Sequence, residues 1–146
     1  SKGTVRITSS RPGEAPSIRP NYLDHEDDRD EALAMARLIE RLMATPALIG
    51  ILADEPLTPL DKMDDDAVLA DFRQRGGTVF HLCGTCRMGP EAASSVVDSR
   101  LRVHGVEGLR ICDASAFPNI TSANTNAPTM MLAQRAAGMI LQDGQR

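Results

Sequence analysis

The chain has 146 residues, of which 42% are hydrophobic and 25% charged, and its formal net charge is -4. That length supports one domain with its own core, and the hydrophobic share excludes the polar, charge-dominated composition of a disordered segment. Aromatic residues are only 3% of the chain, Trp is absent, and 20 acids outnumber 16 bases, which excludes a basic, aromatic-bearing surface for nucleic acid.

No apolar run reaches the roughly 18 to 20 residues that a membrane-spanning helix needs, and the opening Ser1-Lys2-Gly3 carries no signal-peptide core. Three cysteines, an odd number, argue against a disulfide scaffold and suit a reducing compartment, so a cytoplasmic location is expected. Strand-like sequence begins at the third residue with no initiating Met, which leads to the expectation of a piece cut from a longer polypeptide.

Val5 and Ile7 alternate with polar neighbours, the period-two pattern of a half-buried strand. Ser9 to Pro20 is rich in proline and predicts an extended loop with a short strand at Ser17-Ile18-Arg19. From about Asp27 to Ala44 the period changes, and Leu33, Ala34, Met35, Ala36, Leu38, Ile39, Leu42 and Met43 form the apolar face of an amphipathic helix. Asp24 or Asp27 is expected to cap it, with the acids of the first turn matched to the helix dipole. Thr45-Pro46 ends this helix, a short second one is expected over Ala47 to Ala53, and Pro56 and Pro59 mark a turn region.

Asp64-Asp65-Asp66 predicts a capped helix running to about Arg75 and stopped by Gly76-Gly77. The triplet lacks the alternating ligands of a calcium loop, so capping is the better reading. Thr78-Val79-Phe80, Leu101-Arg102-Val103 and Leu109 to Cys112 predict strands, with Gly105 to Gly108 joining the last two as a hairpin. A final helix follows Pro128, with Thr129, Met130, Leu132, Ala133, Ala136, Ala137, Ile140 and Leu141 at helical spacing.

Three features could carry chemistry. Cys83-Gly84-Thr85-Cys86 has the spacing of a redox dithiol or half a zinc site, but no second ligand pair and no βαβ context accompany it, which favours two unbridged structural thiols. His81 stands where a strand should hand over to a loop, and its imidazole could accept a hydroxyl proton near neutrality; a structural histidine is the plainer alternative. Asn124 to Thr129 precedes the last helix, whose first amides suit carbonyl oxygens or developing negative charge, while turn and cap hydrogen bonds are the ordinary use of Asn124 and Asn126.

Taken together, His81-Leu-Cys-Gly-Thr-Cys-Arg-Met-Gly89, Val97-Asp98, Leu101 through Ser115, Pro118 and Asn124-Thr-Asn-Ala-Pro-Thr129 closely resemble the C-terminal segment of glucose-methanol-choline (GMC) oxidoreductases, nearest to the choline-dehydrogenase type. Lys2 to Ile7 and Ile18 to Leu23 resemble that family's entry to the substrate domain, so the likeness covers almost the whole chain. It implies an α+β fold, a mostly antiparallel sheet carrying helices, with a substrate-binding lobe over 1–76 and a catalytic, flavin-contacting segment over 77–146. It also implies an FAD-dependent alcohol oxidation in which His81 takes the hydroxyl proton while hydride passes from the alcohol carbon to flavin N5, giving an aldehyde. Asn124 would hydrogen-bond the substrate oxygen, and Asp113, Ala114, Asn126, Ala127, Pro128 and Thr129 would line the FAD. No metal is implied.

The family's GxGxxG dinucleotide fingerprint occurs nowhere in these residues. The expected partners are therefore a separate N-terminal FAD-binding domain and an alcohol substrate, and apolar surface left uncovered would be compatible with a homodimer. A binding module without redox activity is the alternative from another functional class.

Overall fold

The computed structural model describes residues 1–52 and 59–144. The chain divides into two compact units, Ser1–Gly77 and Thr78–Arg146.

In the first unit β1 (Thr4–Arg6) pairs antiparallel with β2 (Ser17–Arg19), Val5 opposite Ile18. α1 (Glu26–Met43) follows, capped by His25, whose Nδ1 accepts from the Asp27 amide at 3.3 Å. Neither aspartate expected to cap it does so: Asp27 lies inside the first turn, where its charge suits the dipole, and the Asp24 carbonyl accepts from Arg29 at 2.7 Å instead. The apolar face also differs from expectation. Ala32 and Ala36, one turn apart, are buried, while Met35, Leu38, Ile39 and Leu42 stay about half exposed. α1 packs against α3 (Asp65–Arg75), which buries Val68 and Leu69. Small side chains allow that close approach, so the alanine stripe is inside and the larger residues flank it.

α2 is shorter than expected, Pro46–Ile49, with Pro46 in the first turn. The expected helix end at Ala53 and the turn at Pro56 lie outside the described residues. A 3₁₀ turn, Leu60–Lys62, follows Pro59, and α3 begins where the aspartate triplet predicts: Asp64 accepts from the Ala67 amide at 2.8 Å. α3 closes with the Gly76 amide on the Phe72 carbonyl at 2.9 Å. A Cβ at Gly76 would stand 2.3 Å from that carbonyl oxygen, so only glycine fits the stop. Arg37 ties α1 to the segment before α3, donating to the Leu60 and Met63 carbonyls at 3.0 and 2.9 Å and to Asp65 at 2.8 Å.

The second unit corrects the sheet. A mostly antiparallel sheet is not what these residues form: among the described residues the only sheet is the β1–β2 pair, and helices dominate. At Thr78-Val79-Phe80 the Thr78 hydroxyl accepts from the Phe80 amide at 3.0 Å and Phe80 takes a left-handed φ of 61°, so a local turn replaces the strand. Leu101–Val103 and Leu109–Cys112 do approach each other, with Val103 N to Leu109 O at 3.0 Å and Ile111 N to Leu101 O at 3.1 Å. Their pairing shrinks to the bridge Arg102–Arg110, because Leu101 itself adopts a left-handed φ of 65° and the Asp98 carboxylate takes the Arg100 and Arg102 amides at 2.8 and 3.0 Å. Gly105 and Gly108, both at positive φ, make the expected connection.

α4 (Asn126–Asp143) completes the unit and lays Leu132 and Ala136, one turn apart, on a core of Val97, Leu101, Ala116 and Phe117. Arg100 and Arg110 both pair with Asp143 in its last turn, Arg100 at 2.8 Å, which offsets the unfavourable placing of an acid at a helix C-terminus.

Candidate active site

Three segments of the second unit converge on one place. The turn that holds both thiols is laddered onto the 3₁₀ turn Ala114–Ala116: Gly84 N reaches Ala114 O at 3.4 Å, Cys86 N reaches Ser115 O at 2.9 Å and Met88 N reaches Ala116 O at 2.9 Å. Asp113 caps that 3₁₀ turn, its Oδ1 accepting from the Ser115 amide at 2.7 Å. Gly84 sits at φ 85°, and a Cβ there would press to 3.3 Å on the Phe117 carbonyl, so the glycine permits both the turn and the close approach.

His81 leads into this turn and is half-buried. Its Nδ1 lies 3.0 Å from the hydroxyl of Thr125, the residue ahead of α4 and the one buried polar residue among those described. The other ring nitrogen, Nε2, makes no hydrogen bond to the described residues. Asn124 is exposed and adjacent in the chain to Thr125, with its side chain in no hydrogen bond to the described residues. The structure thus brings His81 to the N-terminal end of α4, where it contacts Thr125, one residue before Asn126, rather than Asn124.

At that end the amides of Asn126 and Ala127 precede the first intrahelical donor, the Thr129 amide, and Pro128 has no N–H. Thr129 turns inward: its amide and its hydroxyl both donate to the Thr125 carbonyl, at 3.0 and 2.7 Å. Two amides without a hydrogen-bond partner among the described residues, at the positive end of an 18-residue helix, form a donor set that suits a ring bearing carbonyl oxygens, as the pyrimidine edge of a flavin does. The residues present therefore fit that part of the cofactor.

Cys83, Cys86 and Cys112 are unbridged. Burial pushes the Cys83 thiol up, and burial with the neighbouring Asp113 charge does the same to Cys112, which disfavours the thiolate at both. Among the described residues no three His, Cys, Asp or Glu side chains gather as metal ligands would. His104 serves packing: its Nε2 lies 3.1 Å from the Gly89 carbonyl and 3.2 Å from the Ser95 hydroxyl. The residue that sequence reasoning passed over is Thr125. Its one signal was the proline three residues on, which removes an amide that a threonine before a helix would otherwise cap.

The chain is similar to known proteins over most of its length. The family model described as GMC oxidoreductase matches residues 1–133. An oxygen-dependent choline dehydrogenase of Proteus mirabilis (strain HI4320) is 42% identical over 140 residues, covering 96% of this chain and 25% of that protein. An alcohol dehydrogenase (acceptor) of Pseudomonas putida is 37% identical over 142 residues, covering 97% of this chain and 26% of that protein. The solved structure of an FAD-dependent oxidoreductase from Chaetomium thermophilum superposes with a TM-score of 0.86 at 26% identity, over 98% of this chain and 25% of the other. The chain spans about a quarter of the length of the curated relatives it matches. With a family match over nearly its whole length and relatives that agree in sequence and in fold, the chain belongs to the GMC oxidoreductase family.

Proposed function

We propose that this chain is the C-terminal, substrate- and flavin-contacting part of an FAD-dependent alcohol oxidoreductase that converts a primary alcohol to an aldehyde. The observation that carries the reading is the half-buried His81, with Nδ1 on Thr125 and Nε2 in no hydrogen bond to the described residues, beside the N-terminus of α4.

His81 acts as the base: its Nε2 lone pair takes the hydroxyl proton, and the carbon, relieved of that proton on oxygen, gives up its hydrogen as hydride. The FAD, when bound, supplies the hydride acceptor. Asn124, exposed on the segment that leads into α4, donates to the substrate oxygen as negative charge grows on it. Asn126 and Ala127 offer their amides to the flavin, Pro128 and Thr129 shape the turn that presents them, and Asp113 with Ala114 forms the neighbouring wall. The first unit serves as the substrate-binding lobe. Val79, Phe80, Leu82, Ile120 and Met130, all well exposed, provide apolar surface for a separate FAD-binding domain. The relatives named above, a choline dehydrogenase and an alcohol dehydrogenase, support the alcohol class.

The test is a visible spectrum of the flavin-loaded protein that carries this chain, followed by anaerobic addition of a panel of primary alcohols. Bleaching of the yellow oxidised flavin by at least one alcohol is the expected result. A protein that binds alcohols with no change in a bound flavin, or that binds no flavin, would return the chain to the class of binding modules.

A further inference from the structure

We propose that Thr125 is a positioning residue that sets the tautomer of His81: the Thr125 hydroxyl oxygen accepts the Nδ1–H of the neutral ring and so keeps the Nε2 lone pair available for the substrate proton. The inference rests on the reading of His81 as the base and adds to it the group that makes the base usable.

A neutral imidazole carries one proton on either nitrogen. If it sits on Nε2, that nitrogen has no lone pair to offer, so the base needs an acceptor at Nδ1 to draw the proton there. The atom found at that position is the Thr125 Oγ1, 3.0 Å away.

Thr125 is suited to this duty because its hydroxyl caps no amide of the helix. A threonine before a helix normally turns its hydroxyl onto an amide of the first turn. Here the third helical residue is Pro128, which has no amide hydrogen, and Thr125 makes no side-chain cap. Its backbone is αR, φ -74° and ψ -10°, rather than the extended form usual for a cap. The hydroxyl is thus free to face the imidazole, while the backbone is fixed by the two donations from Thr129 to its carbonyl at 3.0 and 2.7 Å. Burial of Thr125, 8% exposed, keeps water from competing for Nδ1.

The test uses the flavin-loaded enzyme labelled with ¹⁵N-histidine, read by two-bond ¹H–¹⁵N correlation above the titration of the ring. His81 is assigned by the signal that His81→Gln removes. The wild-type ring is expected to be protonated at Nδ1. Thr125→Val, which keeps the shape and removes the hydroxyl, should move the proton to Nε2 and slow anaerobic flavin reduction by about tenfold or more, with alcohol affinity within about twofold of wild type. Thr125→Ser should restore both the tautomer and the rate. A wild-type ring protonated at Nε2 overturns the proposal without recourse to any variant, and so does a Thr125→Val enzyme that reduces its flavin at the wild-type rate. Should His81→Gln itself reduce flavin at the wild-type rate, the base reading fails; a slow His81→Gln enzyme whose wild-type ring is protonated at Nε2 defeats the Thr125 assignment alone.

Discussion

Leu101 offers a test in which the usual order of two substitutions should be reversed. Its side chain is 1% exposed, in the core that also holds Ala116, Phe117 and Leu132, and its φ is 65°. Truncation to alanine deletes buried methyl groups and leaves a cavity, a loss of about 3 kcal/mol. Truncation to glycine removes one carbon more and adds backbone freedom in the unfolded chain, ordinarily a further penalty of about 1 kcal/mol. A left-handed backbone changes that sign, because relief of the Cβ clash returns roughly 1 to 2 kcal/mol. Leu101→Gly should therefore be as stable as Leu101→Ala or more stable by up to about 1 kcal/mol, both well below wild type. In a unit of about 60 to 100 residues a loss of about 3 kcal/mol lowers Tm by roughly 12 to 24 °C. Urea denaturation followed by far-UV circular dichroism measures both variants, with an unchanged slope confirming that stability alone has moved. A glycine variant less stable than the alanine variant by about 1 kcal/mol would refute the left-handed backbone, and an alanine variant within about 0.5 kcal/mol of wild type would refute the burial.

Asp143 is held below the usual carboxylate range by its hydrogen bonds to Arg110 and Arg100. A depressed folded pKa stabilises the fold above the unfolded carboxylate value, near 3.9, and that contribution is lost as pH falls through the folded value. The Tm difference between wild type and Asp143→Asn should accordingly be largest near neutrality and shrink toward zero in acid; a constant difference over that range would contradict the ion-pair account. Asn124→Ala should slow single-turnover flavin reduction by about a hundredfold or less, since one hydrogen bond to developing charge is lost, and an unchanged rate would remove Asn124 from the reaction.

The helices were legible where a local signal was complete. Asp64 with its two following acids fixed the start of α3, Gly76 its end, and the spacing of Leu132 and Ala136 fixed the buried face of α4. What failed depended on partners distant in sequence. Nothing local told that α3 would dock on the alanine side of α1, or that a histidine nitrogen would cap it in place of an aspartate. The pairing of the strands expected around Leu101 reduces to a single bridge because β-propensity cannot register a left-handed residue or an aspartate that captures two amides. At the site, His81 and Asn124 were named through resemblance to a family, with spacing alone leaving each ambiguous. Thr125 meets His81 across 44 positions of sequence, a pairing that only the folded chain displays.

The most direct measurement of the central claim is the rate of anaerobic flavin reduction by a saturating alcohol in wild type and His81→Ala, followed by stopped-flow absorbance. Loss of a positioned base should slow the histidine variant by about two to four orders of magnitude, with the alcohol concentration needed for half-saturation little changed. Reduction at the wild-type rate in His81→Ala would contradict the account.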